Sequence, residues 1–184
     1  ASVLEGRFGL LASHVGEFDA AELTAGLGSR WETTAIAIKP YPVCHAAHTA
    51  LDAVAQLAPD PDAIESITAL VAGEVAVGLV LEPAAAKAVP RTTYDAKFSL
   101  PYCIGALLTR GELGLDAFTA EAIAGPRSLE IAAMVDYEVV PFDDGNDLSG
   151  GVRIRAAGRE REATVLRARG GPGAPLSAAE VEAK

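Results

Sequence analysis

Lys39, Cys44, His45 and His48 place one ammonium, one thiol and two imidazoles within ten residues. An ammonium at that density can hold a carboxylate or stabilise an enolate-like transition state. An imidazole can bind substrate or move a proton near neutral pH. A thiol at a helix start is open to mild activation, although a packed cysteine is the plainer expectation. Each residue also has an ordinary reading. Lys39 could be a solvated lysine at a strand end. His48 could be a helix histidine hydrogen-bonded to Asp52, four residues on.

Metal chemistry is not expected. Cys44 and His48 at i, i+4 could chelate, but no second Cys/His pair follows, His14 is alone and Cys103 is remote. No cysteine trio suits an iron–sulfur cluster. The glycines at Gly78, Gly150–Gly151 and Gly170–Gly171 make no phosphate loop, and no nucleotide motif is present.

The elements around these residues must aim them at one point. Trp31 to Lys39 alternates and is rich in β-formers, so a strand is predicted there, ending on Lys39. Pro40 and Pro42 then forbid regular structure for a few residues. A helix is predicted from His45 to Leu57, with Leu51, Val54, Ala55 and Ala58 as its buried stripe. Free N–H groups and the macrodipole make such a helix start attractive to anions. A lysine arriving there gives a carboxylate-binding corner, and Lys39 and the Cys44–His48 helix start are expected to share it.

Elsewhere the pattern predicts a lead-in over residues 1–14 and a short helix from Asp19 to Gly28, capped by Asp19. Ala63–Ala72 reads as a strand, and Gly73–Leu81 as its extension or a further strand. Glu82–Thr93 reads as loop. Ser99 caps a helix to Arg110, with Pro101 in the tolerant first turn. Asp116–Ala124 and Pro126–Ala133 are short helices, and Val135–Pro141 is a strand. Gly151–Ala156 and Glu160–Arg167 form a hairpin around Ala157–Gly158. Ser177 caps a last helix. The alternating arginines 153, 155, 159, 161, 167 and 169, interleaved with Glu160 and Glu162, read as a solvated sheet face. Together this is an α+β fold: a two-layer sandwich, its sheet mixed or antiparallel, with helices on one face.

The bulk figures agree. The 184 residues suffice for one domain with a sizeable core, and half of them are hydrophobic. A net charge of −10 argues against nucleic acid or an anionic membrane as partner. Two cysteines are too few for a disulfide framework; both read as reduced thiols of a cytoplasmic protein. No apolar run spans a membrane.

Two segments carry a family resemblance. One is Ile38-Lys39-Pro40-Tyr41-Pro42-Val43-Cys44-His45-Ala46-Ala47-His48. The other is Ala96-Lys97-Phe98-Ser99-Leu100-Pro101-Tyr102 before an apolar helix and Gly111-Glu112-Leu113-Gly114. Leu4-Glu5-Gly6-Arg7-Phe8-Gly9 and Pro175-Leu176-Ser177 add support. The chain resembles the MmgE/PrpD family of 2-methylcitrate dehydratases, cis-aconitate decarboxylases and an iminodisuccinate epimerase, and within it the smaller, C-terminal-side α+β domain.

The resemblance implies a lyase or isomerase that needs no cofactor. The reaction would remove a proton beside a carboxylate of a small di- or tricarboxylate. It assigns the Lys39 position to the active site; by their place at the helix start, His48 is expected as a catalytic residue and Cys44 and His45 at the substrate. Cys44 stands where some members have histidine, a departure that puts a proton-transfer role there in question. Lys97 and Ser99, in the second motif, either line the same cleft for substrate or anchor their helix. The general base would lie on the family's large helical domain, which is expected to be missing from this fragment, with residues 1–184 a single domain. The full protein is expected to be a homodimer. The rival expectation is a non-catalytic domain that serves packing or oligomerisation.

Overall fold

The computed structural model describes residues 3–15 and 17–184; the first two residues of the predicted 1–14 lead-in lie outside them. The chain divides into two units, one up to Ile36 and one from Ala37 to Lys184.

The first unit holds helix α1 (Leu10–His14) and 3-10 turns at Ala20–Leu23 and Glu32–Ala35. Asp19 does cap the earlier turn, accepting from the Ala21 amide at 2.9 Å. The strand predicted from Trp31 is absent. Thr34 donates both its amide, at 3.1 Å, and its hydroxyl, at 2.7 Å, to the Trp31 carbonyl. Those local bonds close a turn where a ladder was expected.

In the second unit, Ala37–Lys39 likewise has no ladder. One backbone bond, from the Ile38 amide to the Gly170 carbonyl at 2.8 Å, holds it. A 3-10 turn (His45–Ala47) runs into helix α2 (His48–Leu57), whose residues from His48 to Val54 are all buried. Strand β1 (Ile64–Val71) follows. The predicted strand over Gly73–Leu81 is helical instead: α3 (Glu74–Ala76) continues into a wide π-turn at Val77–Leu81. Ala76, Val77, Val80 and Leu81 are buried while Val75 and Leu79 are exposed, a helical spacing hidden in an all-apolar run. The expected loop after it contains α4 (Ala84–Ala88), followed by α5 (Thr93–Lys97).

Helix α6 (Leu100–Arg110) starts where the cap predicted it. The Ser99 hydroxyl accepts from the Tyr102 amide at 3.0 Å, and Pro101 sits in the first turn. Two short helices, α7 (Ala120–Ile123) and α8 (Pro126–Ala132), lead to strand β2 (Val135–Val139). The hairpin β3 (Gly150–Ala156) and β4 (Arg159–Val165) turns at Ala157–Gly158 as predicted, and α9 (Ala178–Glu182) is capped by Ser177. Among the described residues no helix is long and apolar enough to cross a membrane.

The sheet order is β2-β1-β3-β4. β1 pairs parallel to β2 and antiparallel to β3, so the sheet is mixed, and the fold is the α+β sandwich that the pattern predicted. Ile67, Ala69, Val71, Val152 and Ile154 face the helices and are buried. The opposite face is solvated and ion-paired. Arg153 meets Glu138 at 3.0 Å and Glu162 at 2.9 Å, and Arg155 meets Glu65 at 3.0 Å.

Candidate functional site

The prolines do what the sequence suggested. They keep Lys39–Val43 out of any regular element and curl it back on itself. The Lys39 ammonium donates to the Val43 carbonyl at 2.9 Å, one residue before Cys44. It therefore points to the helix start and not across the far face of the sheet. An ammonium has three protons to donate, and Val43 takes one. The first amides of the His45–Leu57 helical run have no acceptor within it.

Cys44 precedes that run, half-buried, its amide donating to the Lys97 carbonyl at 2.9 Å. The two motifs thus touch through backbone. Their side chains diverge. The Lys97 ammonium lies over the Phe118 ring, 5.7 Å from its centroid. The Ser99 hydroxyl, besides capping α6, donates to the Lys87 carbonyl and is fully buried, so anchoring is the role its bonds describe. Lys87, which the sequence reading passed over, donates to the carbonyls of Leu79 and Phe98, each at 2.7 Å. Burial holds its pKa below the usual lysine range.

His45 is exposed; its ring centroid is 5.1 Å from that of His48. His48 is 1% exposed and meets the Tyr41 ring edge-on at 5.5 Å. Its Nε2 is buried with no hydrogen-bond partner among the described residues. The expected His48–Asp52 bond is not formed, because Asp52 is taken by others. Asp52 Oδ1 accepts from the Tyr41 hydroxyl at 2.9 Å and from Arg169 Nε at 3.1 Å, and Oδ2 accepts from the Arg169 amide at 2.8 Å.

Burial, then the neighbouring His45, pushes the His48 pKa from 6.5 down to about 4; Lys39 adds to this, while the Val43 carbonyl and Asp52 oppose it. His48 is neutral at pH 7. The unfolded chain binds that proton at higher pH, so the site contributes stability fully present above pH 6.5 and lost as pH falls through about 4. The effect reaches about 3 kcal/mol. In an NMR titration the His48 ring should titrate near pH 4, and His48→Gln should flatten the stability profile in that window. A midpoint near 6.5 would contradict the buried environment.

Tyr41 and Arg169 are the residues that sequence reasoning missed. Burial, and next to it the Asp52 carboxylate, raises the Tyr41 pKa to about 12, so the phenol stays protonated and donates. The alternation groups Arg169 with the sheet arginines, but β4 ends at Val165 and Arg169 lies beyond the sheet. The glycine pair that follows it was the available signal of a close approach. A cavity of about 560 Å³ is lined by Tyr41, Leu107, Leu113, Leu176, Arg169 and Lys184 among others; Lys39, His45 and His48 are not in its walls. Among the described residues no three His, Cys, Asp or Glu side chains are placed to hold a metal ion.

No curated protein matches the chain. A family model described as the MmgE/PrpD C-terminal domain matches residues 41–184.

Proposed function

The chain belongs to the MmgE/PrpD family through this C-terminal domain, and from that premise we propose that it supplies one wall of an interdomain active site for a small di- or tricarboxylate. The chemistry is lyase or isomerase chemistry of the 2-methylcitrate dehydratase kind, beginning with removal of a proton beside a carboxylate. The observation that carries this reading is the Lys39 ammonium turned onto the start of a helical run, beside two imidazoles. Lys39 and the first helical amides bind a carboxylate and stabilise negative charge developing next to it.

His48 is an enclosed, neutral ring of this corner. A conjugate acid with a pKa of about 4 makes a weak general base at pH 7. The base then comes from the helical domain. Cys44 and His45 border the same corner. Val75, Leu79, Val89 and Tyr94 are exposed on the α3–α5 stretch, which reaches Cys44 through Lys97, and apolar exposure of that kind suits a docking wall.

Titration of the chain with citrate, followed by amide NMR, is expected to shift Lys39 and Ala46, with no turnover by the chain alone. Shifts confined to other surfaces would remove the carboxylate corner. Turnover by the chain alone, abolished by Lys39→Ala, would place the base here as well.

A further inference from the structure

Lys39 carries the proposed chemistry on a loop with no ladder and two prolines. Something must hold it. The residues on either side of it are both tied to one short strap, Arg169–Gly170. On the N-terminal side, the Ile38 amide donates to the Gly170 carbonyl at 2.8 Å. On the C-terminal side, the Tyr41 hydroxyl donates to Asp52 at 2.9 Å and receives Arg169 Nη2 at 3.4 Å. Arg169 also grips Asp52 twice, through its amide and its Nε. Asp52 lies on α2, one turn after His48. The same guanidinium reaches Glu180 of α9 at 2.9 Å through Nη1.

We propose that Arg169 is a positioning residue for Lys39: through Asp52 and Tyr41 it locks the Lys39–Val43 loop to α2, and so sets the distance between the ammonium and the helix start. The role in binding rests on the carboxylate reading above; the bracing itself does not. A charge-assisted Arg–carboxylate pair is the suitable device: one Asp52 oxygen takes the guanidinium Nε and the other takes the backbone amide of the same residue, which fixes orientation as well as distance. Asp52 is 2% exposed at the side chain, so the pair closes on a carboxylate with few competing waters. The Tyr41 ring, packed on His48, passes that placement to the second imidazole.

The chain has four lysines, at 39, 87, 97 and 184, so lysine geometry can be read one residue at a time. Limited acetylation of the folded chain, resolved by mass spectrometry, tests the brace without any ligand. Arg169→Gln is expected to raise the Lys39 rate about fivefold, the population change that loss of one typical hydrogen bond allows. Rates at Lys87 and Lys97 should stay as they were. Tyr41→Phe, which keeps the Asp52–Arg169 pair and only cuts the loop from it, should raise Lys39 in the same selective way and carries the test if Arg169→Gln fails to fold. An unchanged Lys39 rate in a folded variant overturns the proposal, as does a rise shared by all four lysines, which is general loosening. A selective rise at Lys39 in a chain that ignores citrate would retain the brace and reject the carboxylate reading.

Discussion

Lys39→Ala, made in a protein that joins this chain to a helical domain of the family, lowers turnover of its carboxylate substrate by about 10²-fold or more. The magnitude follows from the role. A preorganised cation aimed at developing charge acts where water is excluded, and loss of one such donor removes about two to three powers of ten in rate elsewhere. The substitution is a clean one, because the fold does not depend on the side chain. Lys39 is exposed, and its ammonium donates to the carbonyl of Val43 in its own loop. Stability should therefore move by no more than about 0.5 kcal/mol. Steady-state kinetics with a thermal melt on the same sample checks both halves. A fall of less than about tenfold with an intact melt would mean that the ammonium does not face the reacting centre.

Gly170→Ala carries the largest expected cost in stability. Gly170 has φ +92, and a Cβ there would stand 1.9 Å from the Ile38 carbonyl oxygen and 3.2 Å from the Pro40 ring. The obstacle is backbone, so no side chain can swing aside. Left-handed strain and the clash together cost about 3 kcal/mol, or a drop of about 10 °C in Tm for a chain of this size. Gly111→Ala is the control. Its φ is +79, but nothing lies within 4 Å of the added carbon, so only the conformational cost of about 1 kcal/mol applies. Equal losses at the two sites would show that the strap does not press on the Lys39 loop. The excess at Gly170 should come with faster acetylation of Lys39.

Local chemistry made much of this fold legible. Ser99 and Ser177 announce helix starts because a hydroxyl before an apolar run satisfies free amides. Gly158 announces the hairpin because glycine takes the positive φ such a turn needs, 71 here, while Ala157 at 49 is the costlier partner. What stayed hidden depends on distant partners. Trp31–Lys39 has the composition of a strand, but no neighbouring strand offers it a ladder. Gly73–Leu81 is apolar throughout, so its period could not be read. Lys39 and the helix start could be paired from spacing alone, because Pro40 and Pro42 leave the loop little room to wander. Arg169 could not be found that way, since its partner Asp52 lies 117 positions earlier. Asp52 seemed to belong to His48 only because i, i+4 is the nearest partner a sequence displays.

That separation sets an order of events during synthesis. The Lys39 loop and α2 leave the ribosome early, whereas their brace arrives only when Arg169 and Gly170 emerge. At translation rates of about 5–20 residues per second the interval between Asp52 and Arg169 is roughly 6–23 s. For that time Asp52 and the Tyr41 hydroxyl lack the partner that later buries them. A nascent chain stopped short of Arg169 would hold every residue proposed to touch substrate, yet lack the clasp that orients them.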